Sequence, residues 1–216
     1  MNRPLPESLE PAEFVDSDHP AVIEFARRST TSARSDRERA SALFAAVRDG
    51  LRYDPYSLSP ARASYRASAI LEQDSAWCVP KAVLLTAAAR AVGIPALLGF
   101  SDVRNHLTTP KLSAAMGTDL FVYHGWTQMW IGGAWHKASP AFNSDLCRRF
   151  GVEPLEFDGT SDALLHAYDG AGHRYMEYVE ERGTFADLPF DEVMAALRQT
   201  YGDLLVPDVE DTAFNK

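Results

Sequence analysis

The sequence is poor in cysteine, has no basic cluster and lacks any long apolar run. Each shortage closes a route. Cys78 and Cys147 are the only cysteines among 216 residues, too few for a disulfide scaffold. Lys and Arg number 21 against 30 Asp and Glu, giving a net charge of -9. With no basic stripe, neither a nucleic-acid backbone nor a membrane surface is expected as a partner. No apolar stretch approaches the roughly 18 residues of a membrane span. The opening MNRPLPESLEPAEF is acidic and proline-rich and carries no apolar export segment. The expectation is a cytoplasmic protein whose cysteines are free thiols. No Cys/His pair has the close spacing of a metal site, and no glycine-rich stretch matches a P-loop or dinucleotide fingerprint. Neither a metal nor any other cofactor is expected.

Hydrophobic residues make up 46% and charged residues 24%, the balance of a globular chain able to build a core. Residues 1–35 read as a proline-broken lead-in and a first helix after His19-Pro20. From Asp36 to Arg48 the apolar residues Ala40, Leu43, Phe44 and Val47 recur at helical spacing. A short helix is expected over Ser64–Leu71. The segment from Val79 to Val92 is Ala/Leu-rich on nearly every face, as a central buried helix would be. Pro80 falls in its first turn, and Gly93 and Pro95 end it. Ala96–Val103 reads as a strand, Arg104–Thr118 as a loop, and LFVYHGWTQMWI (Leu120–Ile131) as a second strand. Gly132-Gly133 signals a hairpin returning through Ala134–Ala138. Period two would put Val122, His124, Trp126, Gln128 and Trp130 on one face.

Short helical patterns follow around Asp162–His166, Arg174–Arg182 and Asp191–Tyr201, then an acidic tail at Asp208–Asp211 read as a solvated end. The whole reads as one α+β domain. Its core spans 36–145, and a C-terminal helical extension, 146–216, packs on it.

The chemistry centres on Cys78, in DSAWCVPKAVLL, where a polar loop turns into the buried helix. Thiolates are favoured at helix N-termini and beside an imidazolium. Of six histidines, His124 is the best candidate partner, lying mid-strand between aromatics. Cys147 reads as a packed residue of a short helix. His136, His166 and His173 read as surface or loop residues.

These fragments, in order, resemble the transglutaminase-like superfamily, which shares the papain-like fold. The residues that carry the resemblance are Cys78, Ala82-Val83-Leu84-Leu85, Gly93-Ile94-Pro95-Ala96, His124-Gly125-Trp126, Gly132-Gly133, Trp135 and Ser139-Pro140. A helix ending in Leu51-Arg52-Tyr53 leads into them. The likeness covers about residues 40 to 143. It implies a central helix carrying the Cys, packed on an antiparallel sheet carrying the His. It further implies a cysteine nucleophile acting at the amide bond of a peptide, amide or other acyl substrate, as peptidase, amidase or transglutaminase-type enzyme.

The resemblance also implies an aspartate before the proline, where this chain has Ser139. Ser139 or Asn143 could orient His124, and Asp145 or Asp158 could fold back to do so. For the oxyanion and cleft the candidates are Gln73, Trp77, Trp126 and His106. The serine keeps open a catalytically idle fold used for binding or scaffolding; a third reading is a peptide-binding or acyl-carrier partner role in which Cys78 receives an acyl group.

Overall fold

The computed structural model describes residues 3–106 and 109–202; the acidic tail lies outside them. After a 3-10 turn at Pro6–Ser8 the chain enters α1 (Pro20–Ser29) and α2 (Asp36–Gly50). Helix α2 starts where expected. The Ser35 hydroxyl accepts the Glu38 N–H, and the Glu38 carboxylate reaches back to the Arg34 N–H, satisfying donors the first turn leaves open. Its inward residues Ala40, Leu43, Phe44 and Val47 are all buried.

Next come β1 (Arg52–Tyr53), a 3-10 turn, the short α3 (Ala67–Ile70) and β2 (Ser75–Ala76). The strands β1 and β2 pair in parallel, Arg52 with Ser75 and Tyr53 with Ala76. Helix α4 (Cys78–Ala91) follows at once and is buried from Cys78 to Arg90. Helices α1, α2 and α3 and the main sheet all pack on it, which accounts for a helix with no polar face. Its buried polar groups are satisfied. The Thr86 hydroxyl donates to Ala82 O at 2.9 Å, and Arg90 donates to Ala96 O, Glu10 O and Ala186 O.

The main sheet has four antiparallel strands in the order β5-β4-β3-β6: β3 (Ala96–Asn105), β4 (Leu120–Ile131), β5 (Ala134–Ala138) and β6 (Met176–Phe185). Gly132 and Gly133, at φ 62° and 89°, make the β4–β5 turn as their sequence indicates. Helices α5 (Pro110–Met116), α6 (Ser144–Arg149) and α7 (Phe190–Tyr201) are the remaining helices among the described residues. One apolar cluster runs from Phe14 through α4 and the sheet to Leu197 in α7. No helix among the described residues is long and apolar enough to cross a membrane.

Three expectations need correction. Helix α5 occupies part of the expected 104–118 loop, opened by Thr109 as N-cap and closed by left-handed Gly117. No helix forms around Asp162–His166, where Ala163 instead bridges to Ala138. The helix expected over Arg174–Arg182 is the edge strand β6, whose outer face is exposed. An edge strand carries charges freely, and those charges imitated the pattern of a solvated helix.

Candidate active site

Cys78 is the first residue of α4, behind Trp77 as N-cap. Trp77 supplies no side-chain cap, so the first-turn amides point toward the thiol with no side chain taking them. The backbone N–H groups of Gly125, Val79 and Cys78 itself act on the Cys78 sulfur and favour thiolate. Burial outweighs them and pushes the thiol up to about 11.

The histidine comes from β4. Gly125, directly after it, lets the strand lie against the start of α4. A Cβ at that position would stand 2.9 Å from Val79 Cα and 3.3 Å from Cys78 O. Thr127, on the same side, donates to Ala82 O at 3.0 Å. Gly125 and Thr127 therefore face the helix. Trp126 faces the other way, over Gly99 and with its indole N–H on Ser101 Oγ at 3.0 Å.

The strict alternation breaks just before His124. Tyr123 is the one non-glycine residue with positive φ, 54°, among the described residues. Such a conformation costs roughly 1–2 kcal/mol and survives only where its surroundings hold it.

Cys78 and His124 line one cavity of about 40 Å³ together with Tyr53, Trp77, Val122 and Tyr201. His124 Nε2 lies 3.0 Å from Ser139 Oγ, and both residues are buried. The Tyr178 ring stands edge-on to the imidazole at 6.3 Å. Burial drives the His124 pKa down to about 4, so at neutral pH the cavity holds a neutral imidazole and a protonated thiol.

The other candidates separate clearly. Asn143 Oδ1 accepts the Tyr53 N–H at 3.0 Å, joining α6 to β1, while His124 Nε2 is taken by Ser139. Asp145 pairs with Arg148, and Asp158 closes a turn on Thr160 and Ser161; neither reaches the histidine. Gln73 donates to Ser64 O at 2.9 Å and lines no part of the cavity. Trp77 does line it, and its buried indole N–H sits beside the Tyr65 hydroxyl without an aligned hydrogen bond. Trp126 does not line the cavity. His106 turns to Glu177, its Nε2 3.1 Å from Oε2. Cys147 is buried in α6.

Tyr53, Tyr178 and Tyr201 carry no local signal of a place near the site. Tyr53 stands out only as the end of the lead-in to Cys78, Tyr178 sits in a segment whose charges imitate a helix, and Tyr201 ends a short helical pattern. A second cavity, sharing Tyr53, Leu112 and Phe121 with the first, continues past Phe142 and Tyr175.

A cysteine opening a buried helix against an antiparallel sheet that carries a histidine defines the papain-like α+β fold. The chain belongs to the transglutaminase-like superfamily, whose family model matches residues 23–140, more than half of its length. Among solved structures, one described as "a Putative Cysteine Protease from Cytophaga hutchinsonii" superposes with a TM-score of 0.50 at 17% identity. The match covers 83% of this chain and 46% of that one, so the chain spans under half of that protein's length. A "putative protease from Parabacteroides distasonis" matches at a TM-score of 0.38 and 14% identity, over 58% of this chain and 25% of that one. No curated protein matches the sequence.

Proposed function

We propose that the protein is a cysteine-nucleophile enzyme that acts at amide or related acyl bonds, with Cys78 and His124 as its dyad and Ser139 as the residue orienting the imidazole. The carrying observation is the shared cavity. Cys78 opens α4 there, His124 lies on the facing strand, and Nε2 is occupied by Ser139.

With Nε2–H donated to the Ser139 hydroxyl, Nδ1 holds the lone pair that accepts the thiol proton. Because burial keeps the resting pair neutral, that proton moves as the sulfur attacks. The S–C bond forms and the carbonyl oxygen becomes an oxyanion, met by the uncapped N–H of Cys78. Return of the proton from His124 to the departing amine breaks the C–N bond and leaves a thioester. Water then attacks the thioester and gives its proton to His124; the C–S bond breaks, the carboxylic acid leaves, and the proton returns from His124 to the sulfur to restore the thiol. An amine in its place would give transamidation; the hydrolytic outcome is the one we favour.

On this reading the substrate is a peptide, amide or other acyl compound, the site is in the cytoplasm, and residues 36–145 form the catalytic core under a C-terminal extension.

The test is acylation by p-nitrophenyl acetate, followed by intact mass and peptide mapping. The expected result is an acetyl adduct on Cys78, lost in Cys78→Ala and slowed about 100-fold or more in His124→Ala. Absence of that adduct in the parent protein would overturn the reading. It would leave the second one, an idle fold used for binding, which the serine at the usual aspartate position favours.

A further inference from the structure

Two consecutive backbone amides ahead of the histidine leave the sheet ladder. Strand β4 pairs with β3 as Ser101 with His124 and then Val103 with Phe121, skipping Val122 and Tyr123. On its other edge β3 is irregular at the same place, with register shifts on both sides of the Ser101–Asp102 step. Side chains take over the skipped amides. The Val122 N–H donates to the Tyr201 hydroxyl at 2.6 Å, and that hydroxyl donates to Leu120 O at 3.0 Å. The Tyr123 N–H donates to Asp102 Oδ1 at 3.1 Å.

Asp102 is buried in the sheet. Arg182 on β6 fixes the carboxylate from the far side, with Nε at 3.0 Å from Oδ1 and a terminal nitrogen at 2.5 Å from Oδ2. The same guanidinium lies 5.4 Å from the centre of the Tyr123 ring, and the Tyr123 hydroxyl reaches Glu192 on α7. The left-handed residue is thus held at its amide, its ring and its hydroxyl.

Bulges re-aim the side chains that follow them. We propose that Asp102 is a positioning residue for His124: by accepting the Tyr123 N–H it holds the left-handed turn of the bulge and so sets the direction in which the imidazole enters the cavity. Arg182 holds the buried side chain in place from β6. The contribution to catalysis rests on the dyad reading above; the contribution to the orientation of His124 does not.

Two readouts keep these apart. The first is the His124 ring Hε1 signal in protein labelled at histidine, identified by its loss in His124→Gln. The second is the rate of Cys78 acylation. Asp102→Asn keeps an acceptor for the Tyr123 N–H, whereas Asp102→Ala removes it. In Asp102→Ala the ring signal should shift or split and acylation should fall about 10-fold or more; Asp102→Asn should stay near the parent in both. An unmoved signal in folded Asp102→Ala, or equal effects of the two variants, would sink the proposal. Should Asp102→Ala not fold, Tyr201→Phe releases the other skipped amide and must move the same signal; no movement is again a refutation. If the parent protein is never acylated, the dyad reading fails while the ring signal still decides this one.

Discussion

Gly125 on β4 and Val79 on α4 approach so closely that one added carbon would lie 2.9 Å from the Val79 backbone. The obstruction is a main-chain atom of a fully buried helix, so it cannot swing aside. Gly125→Ala must push the strand off the helix start or tilt it. Overpacking of this kind costs roughly 1–3 kcal/mol. Catalytic geometry is less forgiving, and acylation of Cys78 should fall about 100-fold. Thermal melting and the acylation rate measured together check this. A variant that acylates at the parent rate would show that helix and strand are not held in register by this contact.

The hydroxyl on His124 sets a pH signature. Burial brings the imidazole down to about 4, and a neutral hydroxyl offers imidazolium no counter-charge. The base form should therefore persist well below the usual histidine range, and the acid limb of kcat/KM should fall near pH 4. Ser139→Asp puts a carboxylate against Nε2, which favours the protonated ring, so the limb should move to higher pH. Ser139→Ala should slow acylation about 10-fold by freeing the ring. A parent limb at the ordinary histidine value would contradict the buried, neutral pair.

Lys81 gives a stability signature. Its ammonium is fully buried one turn beyond Cys78 and donates to Arg48 O and Leu51 O at 2.8 and 2.7 Å. Desolvation lowers its pKa from 10.5 to about 7. The unfolded chain therefore holds this proton between those values while the folded chain releases it. Stability contributed by this group rises with pH across that window. Comparing urea midpoints of parent and Lys81→Met from pH 7 to 10 should show a difference that changes with pH. A constant difference would mean the lysine stays charged when folded.

Cys147 supplies the control. Burial pushes its thiol up to about 11, and it does not line the cavity of Cys78 and His124. Cys147→Ala should keep the parent acylation rate within about twofold, since removing one sulfur from a short helix is a small packing change. A large loss would assign the adduct to the wrong thiol.

The parts of this protein with a strict local period were readable in its sequence. Helix α2 shows its four inward residues and its cap, and α4 shows an apolar surface all round between Trp77 and Gly93. The Gly132-Gly133 hairpin needs positive φ at both positions and carries the residues that allow it. What stayed hidden depends on contacts between distant segments. Strand β6 is an edge strand whose charges copy a helix surface. The bulge at Tyr123 exists because Asp102, Tyr201 and Arg182 converge on it from three other elements, and no local pattern records that. Ser139 could be placed beside His124 from the family pattern; Asn143, the second candidate for that role, is bound to Tyr53 instead.

The two-residue ladder between β1 and β2 has a consequence for how the family can vary. It joins the residues just after α2 to those just before Cys78, so the chain between them departs and returns at the same point. Extra residues at the exposed tip, Pro60–Ala61, would add little closure entropy and would leave the start of α4 where it is. That excursion is a place where the protein can gain or lose length beside its cavity without moving Cys78.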